Sequence, residues 1–555
     1  MSALRPPHVL AIALLLAMAL AGACGGDDDG ATESPVATTP ARTPPASPGA
    51  TPGAEGVIDL AAEAAAVTIT GADGGDYFND LPALVTGDVN GDGLADLLIG
   101  ARFGDGPDNS REDGGEAYLI LGKGALPPTI DLAVPEADVT VYGARGKGAV
   151  SPQGDQLGFS GALADVNGDG IDDMILGAPF AAGAGNATSA GAVYVIFGAP
   201  TLPAVIDLAQ VSPGLILTGA SASGFFGDAV ASTDVNGDGS SDIIVGAPFQ
   251  PRPADRERPG QLAGAVYLWF GGGGLRGPRD VAAGEYDVVI YGEEEFEGGD
   301  EAGDNVAGGD LNDDGFGDIV ITAEAADGPD NKRSVAAEVY VVYGSNDLRG
   351  VLDIGAGDQD VTLYGADQND TLGFNIGVAE VTGDGIADLL VSARGGDGDA
   401  NRTPEAGELH IFPGGSLPET IDLAGYADDI YVYGADAADF LGNALGAADF
   451  DGDGTNELFV GSPGGDGLAN DPFTFRDGGE GFVLDGRSLH GAVRILDAAL
   501  RLVVYGAGAD DALGTSMAAG DMDGDGRAEL VLLAVRADGP DGSRPDAGTA
   551  YIVKM

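Results

Sequence analysis

One nine-residue arrangement of oxygen-bearing side chains recurs seven times in this chain. Its copies are DVNGDGLAD (88–96), DVNGDGIDD (165–173), DVNGDGSSD (234–242), DLNDDGFGD (310–318), EVTGDGIAD (380–388), DFDGDGTNE (449–457) and DMDGDGRAE (521–529). Positions 1, 3, 5 and 9 offer side-chain oxygens and position 7 its carbonyl, a donor set suited to a hard divalent cation. The Gly at position 6 allows a tight turn where a Cβ would clash. The candidate ligands are Asp88, Asn90, Asp92, Leu94 and Asp96 in the first loop, and Asp165, Asn167, Asp169, Ile171 and Asp173 in the second. The third and fourth contribute Asp234, Asn236, Asp238, Ser240 and Asp242, then Asp310, Asn312, Asp314, Phe316 and Asp318. The fifth has Glu380, Thr382, Asp384, Ile386 and Asp388. The last two have Asp449, Asp451, Asp453, Thr455 and Glu457, and Asp521, Asp523, Asp525, Arg527 and Glu529.

An EF-hand shares positions 1, 3, 5 and 6 but requires Glu at position 12. That place is held by Ile99, Leu176, Val245, Ile321, Val391, Val460 and Leu532, each inside an apolar run, so the EF-hand reading fails. Magnesium gives up its water reluctantly, which leaves calcium as the expected ion, structural in role and up to seven per chain. The alternative is an Asx-turn loop that needs no metal. Against it, three or four carboxylates in one loop repel strongly without a cation. The fifth loop is expected to bind weakest, and the sixth and seventh, with four carboxylates each, tightest.

These loops need elements to hold them. Their start-to-start spacings are 77, 69, 76, 70, 69 and 72 residues, the mark of a repeat architecture. Each unit has a short strand ending in Tyr-Gly-Ala or a near variant, the acidic loop, an apolar strand such as DMILGAP (173–179), and a second such as GAVYVIFG (191–198). A linker carrying IDLA or a variant follows. The apolar runs do not alternate, so both faces are expected to be buried, as in stacked propeller blades. Counting strands gives the closure: VTITGA (67–72) has no blade of its own, and the last blade ends at TAYIVKM (549–555) without a fourth strand. The expected fold is all-β, one seven-bladed β-propeller of four-stranded antiparallel blades over 57–555, with the N-terminal strand completing the last blade.

The stretch FFGDAVASTDVNGDGSSDIIVGAP (225–248), with Phe226-Gly227 and Gly246-Ala247-Pro248, resembles the FG-GAP repeat of integrin α-chain propellers and many bacterial surface proteins. The resemblance covers the whole globular part and implies calcium in the loop joining the first two strands of a blade. Two blades depart from it: Gly-Ala-Pro becomes Thr322-Ala323-Glu324 in the fourth and Leu533-Ala534-Val535 in the seventh. Integrin propellers do not carry such a loop in every blade, whereas all seven carry one here.

The N-terminus reads as an export signal. Arg5 precedes the apolar run VLAIALLLAMALA (9–21), too short to span a bilayer, and then Cys24, the only cysteine. Residues 1–23 resemble a bacterial lipoprotein signal with lipidation at Cys24; an ordinary secretory signal with a chance cysteine is the alternative. Residues 24–56, rich in Pro, Thr, Ala and Gly, read as a disordered tether. The protein is expected to be exported, membrane-bound only through this lipid, and monomeric.

Composition narrows the partners. The 555 residues hold 25 Lys or Arg against 89 Asp or Glu, a net charge of −64. Phosphate binding needs a basic stripe, so nucleic acid is excluded. A second set of acidic turns, GDGPDN (104–109), ADGPDN (326–331), GDGDAN (396–401), GDGLAN (465–470) and ADGPDG (537–542), falls between the two apolar strands and hence on the opposite face. That face is where a carbohydrate or protein ligand is expected, though a plain polar turn explains the residues too. The third blade carries QPRPADRERPGQ (250–261) there, a local group of Arg252, Arg256 and Arg258, with Arg276 further on. No nucleophile–base pair, zinc cluster or phosphate loop stands out. His410 takes a place where other blades have Tyr, which reads as a packed ring, and His490 has no obvious partner. A non-catalytic, calcium-stabilised binding or adhesion protein is the favoured reading. The alternative is a calcium-dependent polysaccharide lyase or other propeller hydrolase at the cell surface.

Overall fold

Each acidic loop runs into six residues that form a strand with every side chain buried. These strands, from Asp96–Ala101 to Glu529–Ala534, are the second strands of seven blades. The computed structural model describes residues 56–75, 83–253, 262–293, 299–399, 401–426, 430–467, 478–539 and 542–555. The expected signal, Cys24 and the tether through residue 55 lie outside the described residues.

Burial on both faces follows from alternation between neighbours. In the first blade Leu97 and Ile99 pack towards the seventh, with Val531 and Ile552, while Leu98 packs towards the second, with Leu176 and Ile196. Seven such apolar clusters fill the seven interfaces. The short innermost strands, such as Leu84–Gly87 and Gly161–Ala164, touch one another in unbroken sequence, and the first touches the seventh, Leu513–Gly520. The ring is therefore closed.

The closing strand is the expected one: Val67–Thr70 pairs antiparallel with Thr549–Val553 of the last blade. One feature differs from the four-stranded expectation. Every sheet has a fifth strand, and it comes from the linker that carries IDLA or its variants. Val205–Asp207, for example, pairs in parallel with Val139–Tyr142, the fourth strand of the first blade. Gly56–Asp59 does the same for the sixth blade against Leu502–Tyr505. Two N-terminal strands thus complete two different blades.

The Phe-Gly step has a steric reason. Gly227 has φ of 88°, and a Cβ there would lie 2.9 Å from the carbonyl oxygen of Ala192. The bend it makes delivers the chain to the axis, where the innermost strand begins.

Candidate metal loops and the axial mouth

The first residue of each acidic loop ties the turn together. Asp88 Oδ1 accepts the N–H groups of Gly91 (2.7 Å) and Asp92 (3.1 Å), and Oδ2 accepts that of Gly93 (2.7 Å). Asp165, Asp234, Asp449 and Asp521 repeat all three bonds. Asp310 makes two of them, to Asp314 and Gly315. The longer Glu380 accepts from Gly383. Position 5 accepts the N–H of position 7 in every loop: Asp92 from Leu94, Asp169 from Ile171, Asp238 from Ser240, Asp314 from Phe316, Asp384 from Ile386, Asp453 from Thr455 and Asp525 from Arg527.

Position 9 is the buried end of the set. Asp96, Asp173, Asp242, Asp318, Asp388 and Glu457 are fully buried, and Glu529 nearly so. Each accepts the N–H of position 2, as Asp96 Oδ2 does from Val89 at 2.9 Å. Burial lifts these carboxyls despite the backbone donors, to about 6 for Asp96, Asp173 and Asp318 and about 7 for Asp242. Position 3 varies. Asn90 and Asn312 accept from position 5, whereas Asn167 and Asn236 donate to the position-9 carboxylate, as Thr382 does with its hydroxyl.

The sixth and seventh loops bring carboxylates closest. Oxygens of Asp449, Asp451 and Asp453, and of Asp521, Asp523 and Glu529, lie within 4.8 Å of one another. Glu457 adds a buried Oε1 without a hydrogen-bond partner. An all-oxygen donor set with an unsatisfied buried oxygen fits a hard cation. Both loops also receive a basic side chain that sequence reading missed. Lys554 Nζ lies on Asp523 and 3.4 Å from Glu529 Oε1. Arg487 reaches Asp453 at 3.5 Å and Glu457 at 3.9 Å while bonding Asp485 at 2.8 Å, and Arg501 approaches Asp451 at 3.9 Å.

The loops are joined edge to edge. The carbonyl of position 1 accepts an N–H from the next blade's loop: Asp88 from Asp172, Asp165 from Ser241, Asp234 from Gly317, Asp449 from Ala528, and Asp521 from Ala95.

On the opposite face the second acidic turns are largely engaged within the protein. Glu116 Oε1 accepts the N–H of Gly106 at 2.8 Å, and Asp105 Oδ1 that of Asp113 at 2.9 Å. Parts of the turns 396–401, 465–470 and 537–542 lie outside the described residues. So do Arg256 and Arg258, while Arg252 is buried and paired with Asp353 at 2.8 Å. The positive island therefore lacks its first member. His410 is buried, 3.2 Å from Glu408 and stacked on Tyr431, a packed ring as expected.

A group that sequence reading did not single out lies at the axis on this face. The residue after each second strand is Pro179, Pro248 or Pro463 in three blades but Arg102, Glu324 and Arg394 in others. Asp228 and Asp304 stand beside them at the start of the innermost strands. Burial pushes Asp228 up to about 7, with Arg102 opposing and Glu324 adding to the shift. Burial and then Glu324 and Asp228 lift Glu301 to about 8, and Asp304 is held well above the carboxylate range by burial, Glu301 and Glu324. Arg102 lies over the rings of Phe103 and Phe159 at 4.7 and 5.0 Å, and Arg394 over Phe374 and Phe440 at 4.8 Å each. Below is an axial cavity of about 330 Å3, lined by Asn305, Asn375, Asn443, Thr515 and also by Phe374. The signal for this group was the third residue of Gly-Ala-Pro, visible wherever Pro is replaced.

Known proteins share parts of this chain. A family model of the FG-GAP repeat matches residues 82–120, 157–196, 226–269 and 441–484, in the first, second, third and sixth blades. The chain thus carries FG-GAP repeats. It is 30% identical over 214 residues to phosphatidylinositol-glycan-specific phospholipase D of Bos taurus, 39% of this chain and 23% of that protein. It is 33% identical over 183 residues to integrin alpha-PS2 of Drosophila melanogaster, 32% of this chain and 12% of that one. The matches therefore span under a quarter of the relatives' own lengths. Among solved structures, the V. cholerae biofilm matrix protein Bap1 aligns over 87% of this chain and 89% of that one, at 13% identity and a TM-score of 0.32. No helix among the described residues is long and apolar enough to cross a membrane.

Proposed function

We propose that this FG-GAP repeat propeller is a calcium-stabilised binding or adhesion module displayed outside the cell on a lipid anchor at Cys24. Its ligand, a glycan or a protein, docks on the face opposite the acidic loops. The observation that carries the reading is the recurrence of one carboxylate-lined loop in all seven blades, joined through the backbone at five of the seven junctions. A reaction centre is single; a group repeated around the whole ring serves the ring. Calcium bound there would neutralise converging carboxylates and hold the position-1 turns in place. The proposal takes up to seven ions, one per loop, and the integrin-like relatives agree with an extracellular setting.

At a typical extracellular-module affinity of ~0.1 mM and ~1 mM calcium, each site contributes roughly 1.4 kcal/mol. Several together reach the scale of a domain's stability. Chelation is therefore expected to lower the melting temperature by more than about ten degrees. An unchanged melt would remove calcium from the account. For the ligand, a glycan array and a protein-binding screen, each run with and without calcium, are followed by a product assay on any hit. Calcium-dependent retention without products supports the binding reading, and cleavage of a retained glycan replaces it with the lyase or hydrolase alternative.

A further inference from the structure

The axial mouth holds charges where the architecture does not need them. Pro179, Pro248 and Pro463 occupy the same ring position in three blades, so an uncharged residue suffices to close the end of a second strand. Arg102, Glu324 and Arg394 stand there instead, next to Asp228 and Asp304. Holding carboxylates in a desolvated setting is unfavourable unless they are matched. Here four acids, Asp228, Glu301, Asp304 and Glu324, face two guanidinium groups, and each guanidinium is flanked by two phenylalanine rings. Keeping four acids together in this desolvated place lifts Asp228, Glu301 and Asp304 above the carboxylate range and costs stability, which marks a candidate binding site.

Beside the charges runs an arc of aromatic rings, buried at Phe159 and half-buried at Phe180, Phe225 and Phe249. Phe159, Phe180, Phe225 and Phe249 follow one another edge to face, with centroids 6.1, 5.2 and 5.3 Å apart. Beneath lies the axial cavity of about 330 Å3, and Phe374 belongs both to its lining and to the flank of Arg394. Apolar ring faces beside a few convergent polar groups over a cavity of this size make up a small-molecule site.

We propose that the axial mouth opposite the acidic loops binds the end of a saccharide chain, with the sugar ring against the phenylalanine arc and its hydroxyls hydrogen-bonded to Asp228, Asp304 and Glu324. The inference rests on the binding reading above and gives it a place and a ligand class. Carboxylates accept hydrogen bonds from sugar hydroxyls, and guanidinium groups donate to ring and glycosidic oxygens. The site favours neutral or amino-bearing sugars over uronates, because burial and mutual repulsion already lift Asp228, Glu301 and Asp304 above the carboxylate range, and a further carboxylate would have to be desolvated beside them.

The test is titration calorimetry on the calcium-loaded full chain with four probes: N-acetylglucosamine tetramer, glucosamine tetramer, galacturonate tetramer and tetra-arginine. One of the first two is expected to bind, and the galacturonate tetramer and tetra-arginine more weakly. Asp228→Asn and Phe225→Ala should each weaken binding about tenfold or more. Melting curves run alongside; Asp228→Asn keeps the shape of a side chain that burial already holds near its neutral form, so the melt should change little and the variant remains informative even if Phe225→Ala folds poorly. Preference for galacturonate or tetra-arginine overturns the proposal, as does binding unchanged in Asp228→Asn. Failure of all four probes to bind overturns it too, while hits on the broader array would leave the general binding reading standing.

Discussion

Lys554 shows how a single residue qualifies what carboxylate counting implies. The seventh loop has Asp523 at position 3 where the first four have Asn, and the added charge is met by the Lys554 ammonium. The sixth loop repeats the logic, with Asp451 and Asp453 approached by Arg501 and Arg487. A cation entering either loop must compete with a charge the protein already supplies. Carboxylate count alone therefore overstates the charge these loops offer to a cation. The Lys554 side chain is 46% exposed, so the competition is screened and modest. Lys554→Met is expected to lower the calcium concentration that half-protects the amides of Glu529–Ala534 from hydrogen exchange, by about two- to threefold. A midpoint that stays put or rises would show that the ammonium does not compete. Sequence reading found the loop but not its counter-charge, because Lys554 and Asp523 are joined only by the folding of a third strand back along a second.

The fifth strand is the element that the periodicity concealed. Its recurring IDLA was plain, but three residues in an exposed–buried–intermediate pattern carry no strand signature, and parallel pairing leaves no turn to read. What fixes the strand is an arginine from the second polar turn. Arg252 holds both oxygens of Asp353, at 2.9 and 2.8 Å, and also donates to the carbonyl of Gly292 next to the fourth strand. Arg111 with Asp207, Arg333 with Asp422 and Arg544 with Asp131 make the same latch in other blades. The apolar second and third strands, by contrast, were legible residue by residue, since burial on both faces leaves an uninterrupted run. Arg252 is 7% exposed, so Arg252→Met leaves Asp353 without its partner in a mostly buried place. The expected loss is about 3 kcal/mol, read in chemical denaturation, with faster exchange at Gly350–Asp353. A loss confined to that strand, with no change in the global transition, would show that the latch serves the edge alone.

At the scale of the whole ring, stability depends on a contact between the two ends of the chain. Leu84, Ile69, Val531 and Ile552 share one cluster between the first and last blades, and Ile69 reaches it from the strand Val67–Thr70. Closure was legible because strands could be counted: seven Tyr-Gly-Ala-type strands against seven third strands leave one of each at opposite ends. That count could not show the second N-terminal strand, Gly56–Asp59, whose partner lies in the sixth blade. The two strands make separable demands. A chain beginning at Ala61 loses only an outer edge strand, and its melting temperature should fall by a few degrees, about what 1–2 kcal/mol costs in a large domain. A chain beginning at Gly71 uncovers the whole edge of Thr549–Val553 and the apolar faces of Val531 and Ile552. An open, hydrophobic edge strand seeks another chain, so this form is expected to elute as dimers and larger species on size exclusion. Adding a peptide of residues 62–74 in trans should return it to monomer, because the missing strand then comes from outside. A monomer that melts like the intact chain without the peptide would mean that the acidic loops, bonded edge to edge across the seam from Asp521 to Ala95, hold the ring shut on their own.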